Sequence, residues 1–502
     1  MRIRQRHNVR LTVIVAAVVA VAGTLTTPAL ARERASSSRP HARLATRHEH
    51  SGAGIGAAVP DWSSYLFASD HAGYNPTSTA ITPAKAASLA TKWQWKPASP
   101  TVSGQPQGLY SSPVVYGGRV YIGARTGWFY ALNEKTGKVV WKDDVGFIAG
   151  TTCGPEGFTS TATVALDPVT GKPTVYVAAA DGYLYALDAG TGVTVWRTVI
   201  GLPSTTVNDY YNWSSPTVSN GVVYIGTASE CDNPLVPGGV VAVQQSSGSV
   251  IATYHSTPPG VDGASVWGSV LVTDSGGVFA DTGNGPSGTD AVTIMRLVLD
   301  PVAGTLTKVD SWQIPKALQS VDSDWGSSPT AFTATINGVP RQMVGACNKN
   351  GLFYAFDASD LAAGPVWSRA VGAAYRTGTG ECDAAAVWDG SRLFVASNAT
   401  TVGGVAYGGS VRQVDPATGA VIWETGLPGP VIGSPTLDGG GVLAVGVFVK
   451  GPGPYLLDAS TGALLYTFPN ANGKSFSQSI YTDSGLLLET TYNHGIVALG
   501  PS

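Results

Sequence analysis

A chain of 502 residues could hold several ordinary domains, but only 13% of it is charged, against roughly 25% in an average globular protein, while 63 residues are glycine and 32 proline. That balance excludes a helix-rich, charge-laced protein and points to many short strands joined by tight turns. A formal net charge of −3 gives no electrostatic basis for binding nucleic acid.

Taken in order, residues 1–10 are basic, residues 11–23 form an apolar run too short for a comfortable membrane span, and Ala29-Leu-Ala31 offers small residues where a signal peptidase reads. Residues 1–31 are therefore expected to be an export signal, with an uncleaved anchor as the alternative. The mature chain is expected to be secreted or extracytoplasmic, without a stable membrane span. Residues 32–59 are Ser, Arg, His, Gly and Ala without periodicity and read as a disordered linker or propeptide. His41, Arg47, His48 and His50 in this tail are open to a metal or an anionic surface, or are simply solvated.

Residues 60–502 read as one all-β domain. A short helix over 83–90, with Thr82 as N-cap and Pro83 in its first position, is expected to lead into a strand through Trp93 and Trp95. From there the chain repeats one phrase, clearest in residues 181–196: a strand, Tyr183-Leu-Tyr-Ala-Leu187; a turn around Ala189-Gly-Thr-Gly192; and a returning strand ending in Trp196. Copies run to Trp141, Trp367, Trp423 and Tyr466, with weaker ones before Tyr254 and Trp312. A hairpin ending in an indole cannot bury that ring alone. A second hairpin precedes most copies, as in Ser112-Pro-Val-Val-Tyr-Gly-Gly-Arg-Val-Tyr-Ile-Gly123. Four strands every ~40–50 residues is the spacing of propeller blades.

Seven blades are expected over 104–146, 153–201, 208–256, 263–315, 322–372, 380–429 and 431–470. The last segment, 477–499, supplies three strands and stops before an indole strand. The N-terminal strand can complete it, giving an eight-bladed β-propeller of four-stranded antiparallel blades whose last blade is closed by the N-terminal strand. Inserts at 228–239 and 398–409 are expected in loops on the propeller's faces, where ligands bind. Four cysteines in an exported chain suggest two disulfides; of three possible pairings, stitching neighbouring blades favours Cys153 with Cys231 and Cys347 with Cys382.

The run from strand through Asp-Ala-x-Thr-Gly to Trp resembles the repeat of pyrroloquinoline-quinone (PQQ) dehydrogenase propellers, the quinoprotein alcohol dehydrogenase-like superfamily, over nearly the whole mature chain. Residues 61–93 are similar to the opening segment of that family. The resemblance implies a central site with PQQ and Ca²⁺. Trp267, before Asp281-Thr-Gly-Asn284, would stack on the quinone, and Asn284 would ligate the metal, as would Glu230 after Tyr224-Ile-Gly-Thr-Ala-Ser229. In Asp322-Ser-Asp-Trp325, Asp324 matches the catalytic base best and Asp322 is the alternative; Lys349, in Asn348-Lys-Asn-Gly351, would polarise the quinone oxygens.

Each residue also has a purely structural reading. Trp267 can pack between blades, Asn284-Gly285 and Asn350-Gly351 can be hairpin turns, Glu230 can be a loop acid beside a disulfide, and the aspartates can cap turns. Two functions therefore stand. One is a dehydrogenase acting on an alcohol or sugar-like hydroxyl, with a separate electron acceptor. The other is a non-catalytic scaffold whose partner is a cell-surface protein or polysaccharide.

Overall fold

The structure is a computed structural model, and it describes residues 61–148, 154–202, 210–376, 381–469, 474–492 and 495–502. The expected export signal, the linker and Cys153 lie outside the described residues. Among those described, no helix is long and apolar enough to cross a membrane.

Eight antiparallel sheets follow one another around an axis, each with a core of four strands. The first seven blades span 114–144, 163–199, 217–255, 271–313, 330–370, 387–427 and 436–467. In the eighth, strands Ile480–Tyr481, Leu487–Thr491 and Gly495–Pro501 are completed from the other end of the chain by Leu89–Trp95, which pairs antiparallel with Gly495–Pro501 from Leu89↔Pro501 to Trp95↔Ile496. The same pairing explains the one helix that does not form as expected. Extended pairing already begins at Leu89, so the 83–90 segment shortens to a single 3-10 turn, Ala86–Ser88.

Apolar residues on both faces of each sheet are buried, and they group into eight clusters, one at every junction between neighbouring blades. One cluster joins Ile480, Leu488, Ile496, Trp93 and Trp95 of the eighth blade to Val115, Ile122 and Tyr130 of the first. The ring is therefore closed by packing as well as by strand pairing.

The indoles find the partner a lone hairpin lacks. Trp93, Trp141, Trp196, Trp367 and Trp423 each donate the ring N–H to a carbonyl in the next blade's turn, that of Glu134, Ala189, Gln245, Pro416 or Ala459, at 2.7 to 3.3 Å. The ring face lies on the glycine of that turn. A Cβ at Gly137, Gly192, Gly248, Gly419 or Gly462, all with positive φ, would stand 2.4 to 2.6 Å from an indole carbon. Asp-x-x-Thr-Gly is thus a docking plate as well as a turn: in one copy, Asp188 Oδ1 accepts from the N–H of Gly190 and Thr191, holding Gly192 beneath Trp141.

Two further devices act near the axis. The oxygens of Ser112, Thr161, Ser215, Ser269, Ser328 and Ser434 belong to a belt of hydroxyls. In this belt Thr161 accepts from Ser112 N–H, Ser215 from Thr161, Ser269 from Ser215 and Ser328 from Ser269, each at 2.8 to 3.0 Å, while Ala385 N–H bonds Ser434 and Gln478 N–H returns to Ser112. Residues 61–75 form a strap across the innermost strands. Carbonyls of Trp62, Ser63, Ser69, Asp70, Ala72 and Gly73 accept from Val115, Val164, Val272, Ala331, Trp388 and Leu437, in blades one, two, four, five, six and seven. Leu66 N–H and the Asn75 amide bond Gln478 and Tyr481 in the eighth.

Of the two inserts, 228–239 leaves the strand Val222–Ser229 as expected. The other is not a loop. Residues 398–409 extend strands Leu393–Val402 and Val405–Val414 into a long ribbon turned by Gly403-Gly404, both at positive φ. Gly-Gly between alternating residues is itself a two-residue hairpin signal, and it outweighs the polar composition of the insert.

A cavity of carboxylates around one lysine

At one end of the axis the segments entering the innermost strands and leaving the second strands enclose a cavity of about 420 Å³. Five of the six residues expected to form a site, Glu230, Trp267, Asp322, Asp324 and Lys349, line it. Asn284 stands beside its wall. The Asn284 amide donates to Asp322 at 2.7 Å and, more weakly, to Asp232 at 3.4 Å, while its oxygen accepts from Ser323 N–H at 3.1 Å.

The turn Asn348-Lys349-Asn350-Gly351 is clamped to the segment that carries the aspartates. Asn348 donates to the carbonyls of Ser323 and Asp324 at 2.7 and 2.9 Å, and Lys349 N–H to Asp324 O at 3.0 Å. These bonds aim Lys349 Nζ between Asp322 Oδ2 and Asp324 Oδ2, 2.9 Å from each, and 5.4 Å from the centre of the Trp267 ring. Asp324 Oδ1 accepts from Asn284 N–H at 2.7 Å. Gly283 makes room for that carboxylate, since a Cβ there would lie 2.6 Å from Asp324 Oδ1.

Three lining acids were not foreseen: Asp232, Glu381 and Asp383. Their signal in the sequence is the repeated tripeptide Glu-Cys-Asp, at 230–232 and 381–383. The disulfide Cys347–Cys382 is formed as expected. It ties the lysine turn of the fifth blade to the segment bearing Glu381 and Asp383. Gly326 lets that segment close in, since a Cβ there would stand 2.3 Å from Cys382 O and 2.7 Å from Asp383 Oδ1. The other expected pairing involves Cys153, outside the described residues.

Six carboxyl groups and one ammonium thus face one space, and their proton affinities diverge accordingly. Burial pushes Asp324 up to about 6, with the charges of Asp322 and Asp232 adding to the rise and Lys349 opposing it. Burial acts on Asp322 too, but Lys349 and the Asn284 amide outweigh it and hold Asp322 below the usual carboxylate range. Burial, then Glu381, drives Asp383 well above that range. Lys349 is held above the usual lysine value because Asp324, Asp383 and Asp322 overcome the cost of burying its charge.

The donor set suits an implied hard cation: carboxylate oxygens in excess over the available ammonium, with Glu230 and Asp324 buried and the other four partly exposed. Among the described residues no three acids or histidines already form a cage, so a cation would have to draw carboxylates toward it. The flat ring of Trp267, with the Lys349 ammonium 5.4 Å from its centre, suits stacking by a planar cofactor.

Comparisons with known proteins follow the same lines. Polyvinylalcohol dehydrogenase of a Pseudomonas species is 25% identical over 356 residues, 63% of this chain and 52% of that protein. Quinohemoprotein alcohol dehydrogenase of Comamonas testosteroni is 27% identical over 298 residues, 50% of this chain and 39% of its own. The chain spans about half the length, or less, of these curated relatives. Among solved structures, the Comamonas testosteroni quinohemoprotein alcohol dehydrogenase superposes with a TM-score of 0.68 at 18% identity, covering 88% of this chain and 80% of that one. A europium-containing methanol dehydrogenase gives 0.67 at 16% over 88% and 91%. BamB from Moraxella catarrhalis gives 0.51 at 15% over 81% and 99%. At such identities these structures speak for the propeller fold alone. With its model matching residues 81–305 and 333–499, the chain belongs to the PQQ_2 family, described as outer membrane protein assembly factor BamB.

Proposed function

We propose that the chain is an exported quinoprotein-type dehydrogenase that oxidises an alcohol or sugar-like hydroxyl and passes electrons to a separate acceptor. The observation that carries this reading is Lys349 Nζ held 2.9 Å from both Asp322 and Asp324 beside the Trp267 ring, in a cavity with a surplus of carboxylates. The names of the curated relatives, dehydrogenases of polyvinyl alcohol and of alcohols, support it.

Pyrroloquinoline quinone bound there would supply a hydride acceptor, and Ca²⁺ a Lewis acid. Trp267 would offer the cofactor a flat face, and Lys349 a fixed positive charge near its oxygens. Glu230 and Asn284 would hold the cation, Asn284 by turning its side-chain oxygen from Ser323 toward the cavity. Asp324 is the group to receive the substrate's hydroxyl proton at a carboxylate oxygen, because it lines the cavity and is fixed by Asn284 N–H and Lys349. Asp322, held ionised by the same lysine, is the alternative base.

The test is dye reduction by purified protein given PQQ and Ca²⁺ with a panel of primary, secondary and polymeric alcohols, alongside quenching of tryptophan fluorescence by PQQ. Turnover that is lost in Asp324→Asn is the expected result. Fluorescence unchanged by PQQ, with no turnover in any arm, would refute the reading. That outcome would favour a non-catalytic binding scaffold, the reading suggested by the family's description and by the likeness to BamB.

A further inference from the structure

The cavity wall continues outward as a run of aromatic rings that belongs to none of the blade cores. Tyr110 and Phe476 line the cavity. Their ring centres are 4.3 Å apart; Phe448 follows Phe476 at 5.9 Å, and Tyr492 flanks Tyr110 at 5.3 Å. All four are half-buried, and they come from the first, seventh and eighth blades. Phe448 lies beyond the cavity's lining, so the run leads from inside to outside.

Two cations lie over ring faces along this run. Arg125 sits 4.3 Å above Tyr110 and 5.2 Å above Tyr492. It is paired through two nitrogens with Glu156 and donates to Gln107 O and to the Tyr492 hydroxyl, so its charge and fork are already committed. Lys474 Nζ lies 4.9 Å over Phe448. Among the described residues, the parts of these half-buried rings that the two cations leave uncovered face the mouth of a polar cavity.

We propose that Tyr110, Phe476 and Phe448 form a subsite for the remote part of an extended polyhydroxylated chain, one of whose hydroxyls enters the cavity. Such a chain presents C–H faces that pack on rings and hydroxyls that stay in water, which matches an aromatic strip at a wet rim. The strip runs from Tyr110 and Phe476, which line the cavity, to Phe448 beyond its lining, so a chain with one hydroxyl in the cavity would continue along it. Binding energy from that remote part would be the same before and during reaction, so it would set KM rather than kcat. The inference rests on the dehydrogenase reading for what happens in the cavity, but not for binding on the strip.

The test uses two probes on the full chain without cofactor, a cello-oligosaccharide and a short polyvinyl alcohol, followed by calorimetry. Binding of either one is expected and identifies the source of the chain. Phe448→Ala and Phe476→Ala should weaken it about 10-fold each, while Phe448→Tyr retains it and circular dichroism confirms that all variants fold. In the enzyme loaded with PQQ and Ca²⁺, Phe448→Ala should raise KM for the chain substrate about 10-fold with little change in kcat. Binding of neither probe, or alanine variants that bind as tightly as the parent, overturns the subsite. Chain binding with no turnover of any alcohol would instead sink the dehydrogenase reading and leave the subsite standing.

Discussion

If indole rings resting on turn glycines are what joins the blades, a single methyl group placed under one ring should loosen the whole propeller. Gly192→Ala makes that change. Its Cβ would stand 2.6 to 2.9 Å from three carbons of Trp141, and the residue sits at φ +78. Gly171 is the internal control. It ends the Asp167-x-x-Thr-Gly171 turn of the same blade at φ +67, with nothing within 4 Å of its Cβ. Both variants carry the cost of a left-handed alanine, about 1 kcal/mol. Only Gly192→Ala also forces a ring against backbone, for roughly 1–3 kcal/mol more, because Trp141 is tethered by its bond to Ala189 O and cannot simply swing away. Urea unfolding should therefore give losses of about 1 kcal/mol for Gly171→Ala and 2–4 for Gly192→Ala. Equal losses would show that these glycines matter for turn conformation alone and that the indole contact is incidental.

His71 gives an acid-limb prediction. It is buried in the strap with Nδ1 2.7 Å from Pro329 O, and burial lowers its pKa from 6.5 to about 4. A depressed folded value means stability is present above the unfolded pKa and lost as pH falls from about 6.5 through 4, by up to roughly 3 kcal/mol; His71→Asn should flatten that limb of a stability–pH profile. Lys349→Met leaves two inward carboxylates without their cation and should cost roughly 3 kcal/mol at pH 7, by denaturant titration. The loss should shrink as pH falls from 7 toward 6, because Asp324, no longer opposed by Lys349, takes its proton at a higher pH in the variant than in the parent; a loss independent of pH would contradict the pairing. Deleting residues 61–75 removes at least eleven hydrogen bonds to seven blades. At about 1 kcal/mol net each, that approaches the whole stability of a domain, so no cooperative thermal transition is expected unless the segment is returned as a peptide.

The fold was legible because its repeat is written in residues with narrow uses: a Thr-Gly turn at fixed distance from an indole admits few geometries. The count of blades and the composite last blade followed from an apparent deficit, three strands without a terminal Trp at one end and a spare strand through Trp93 and Trp95 at the other. The strap was not legible. It bonds through backbone carbonyls, which every sequence possesses, and its own residues show no period. The hydroxyl belt lay in plain view as Ser111-Ser112-Pro, Ser214-Ser215-Pro and Ser327-Ser328-Pro. There the Ser-Pro pairs read as strand starts, and nothing local says that one hydroxyl reaches the next blade.

The acids of the cavity divide in the same way. Asp322, Asp324 and Lys349 sit in motifs whose spacing is informative by itself, whereas Asp232, Glu381 and Asp383 become neighbours of the lysine only when distant loops meet at the axis. Their assembly is hard to explain as support for the fold. Each blade junction already has an apolar cluster, and the belt and strap bond the inner strands without any charge. Burying carboxylates in excess of their cations works against folding unless something else neutralises them. Two glycines, Gly283 and Gly326, admit Asp324 and Asp383 to places where a side chain at either position would exclude them. In the function proposed above, a cation would offset that crowding, and Gly283 and Gly326 would be the packing given up to place Asp324 and Asp383 around it.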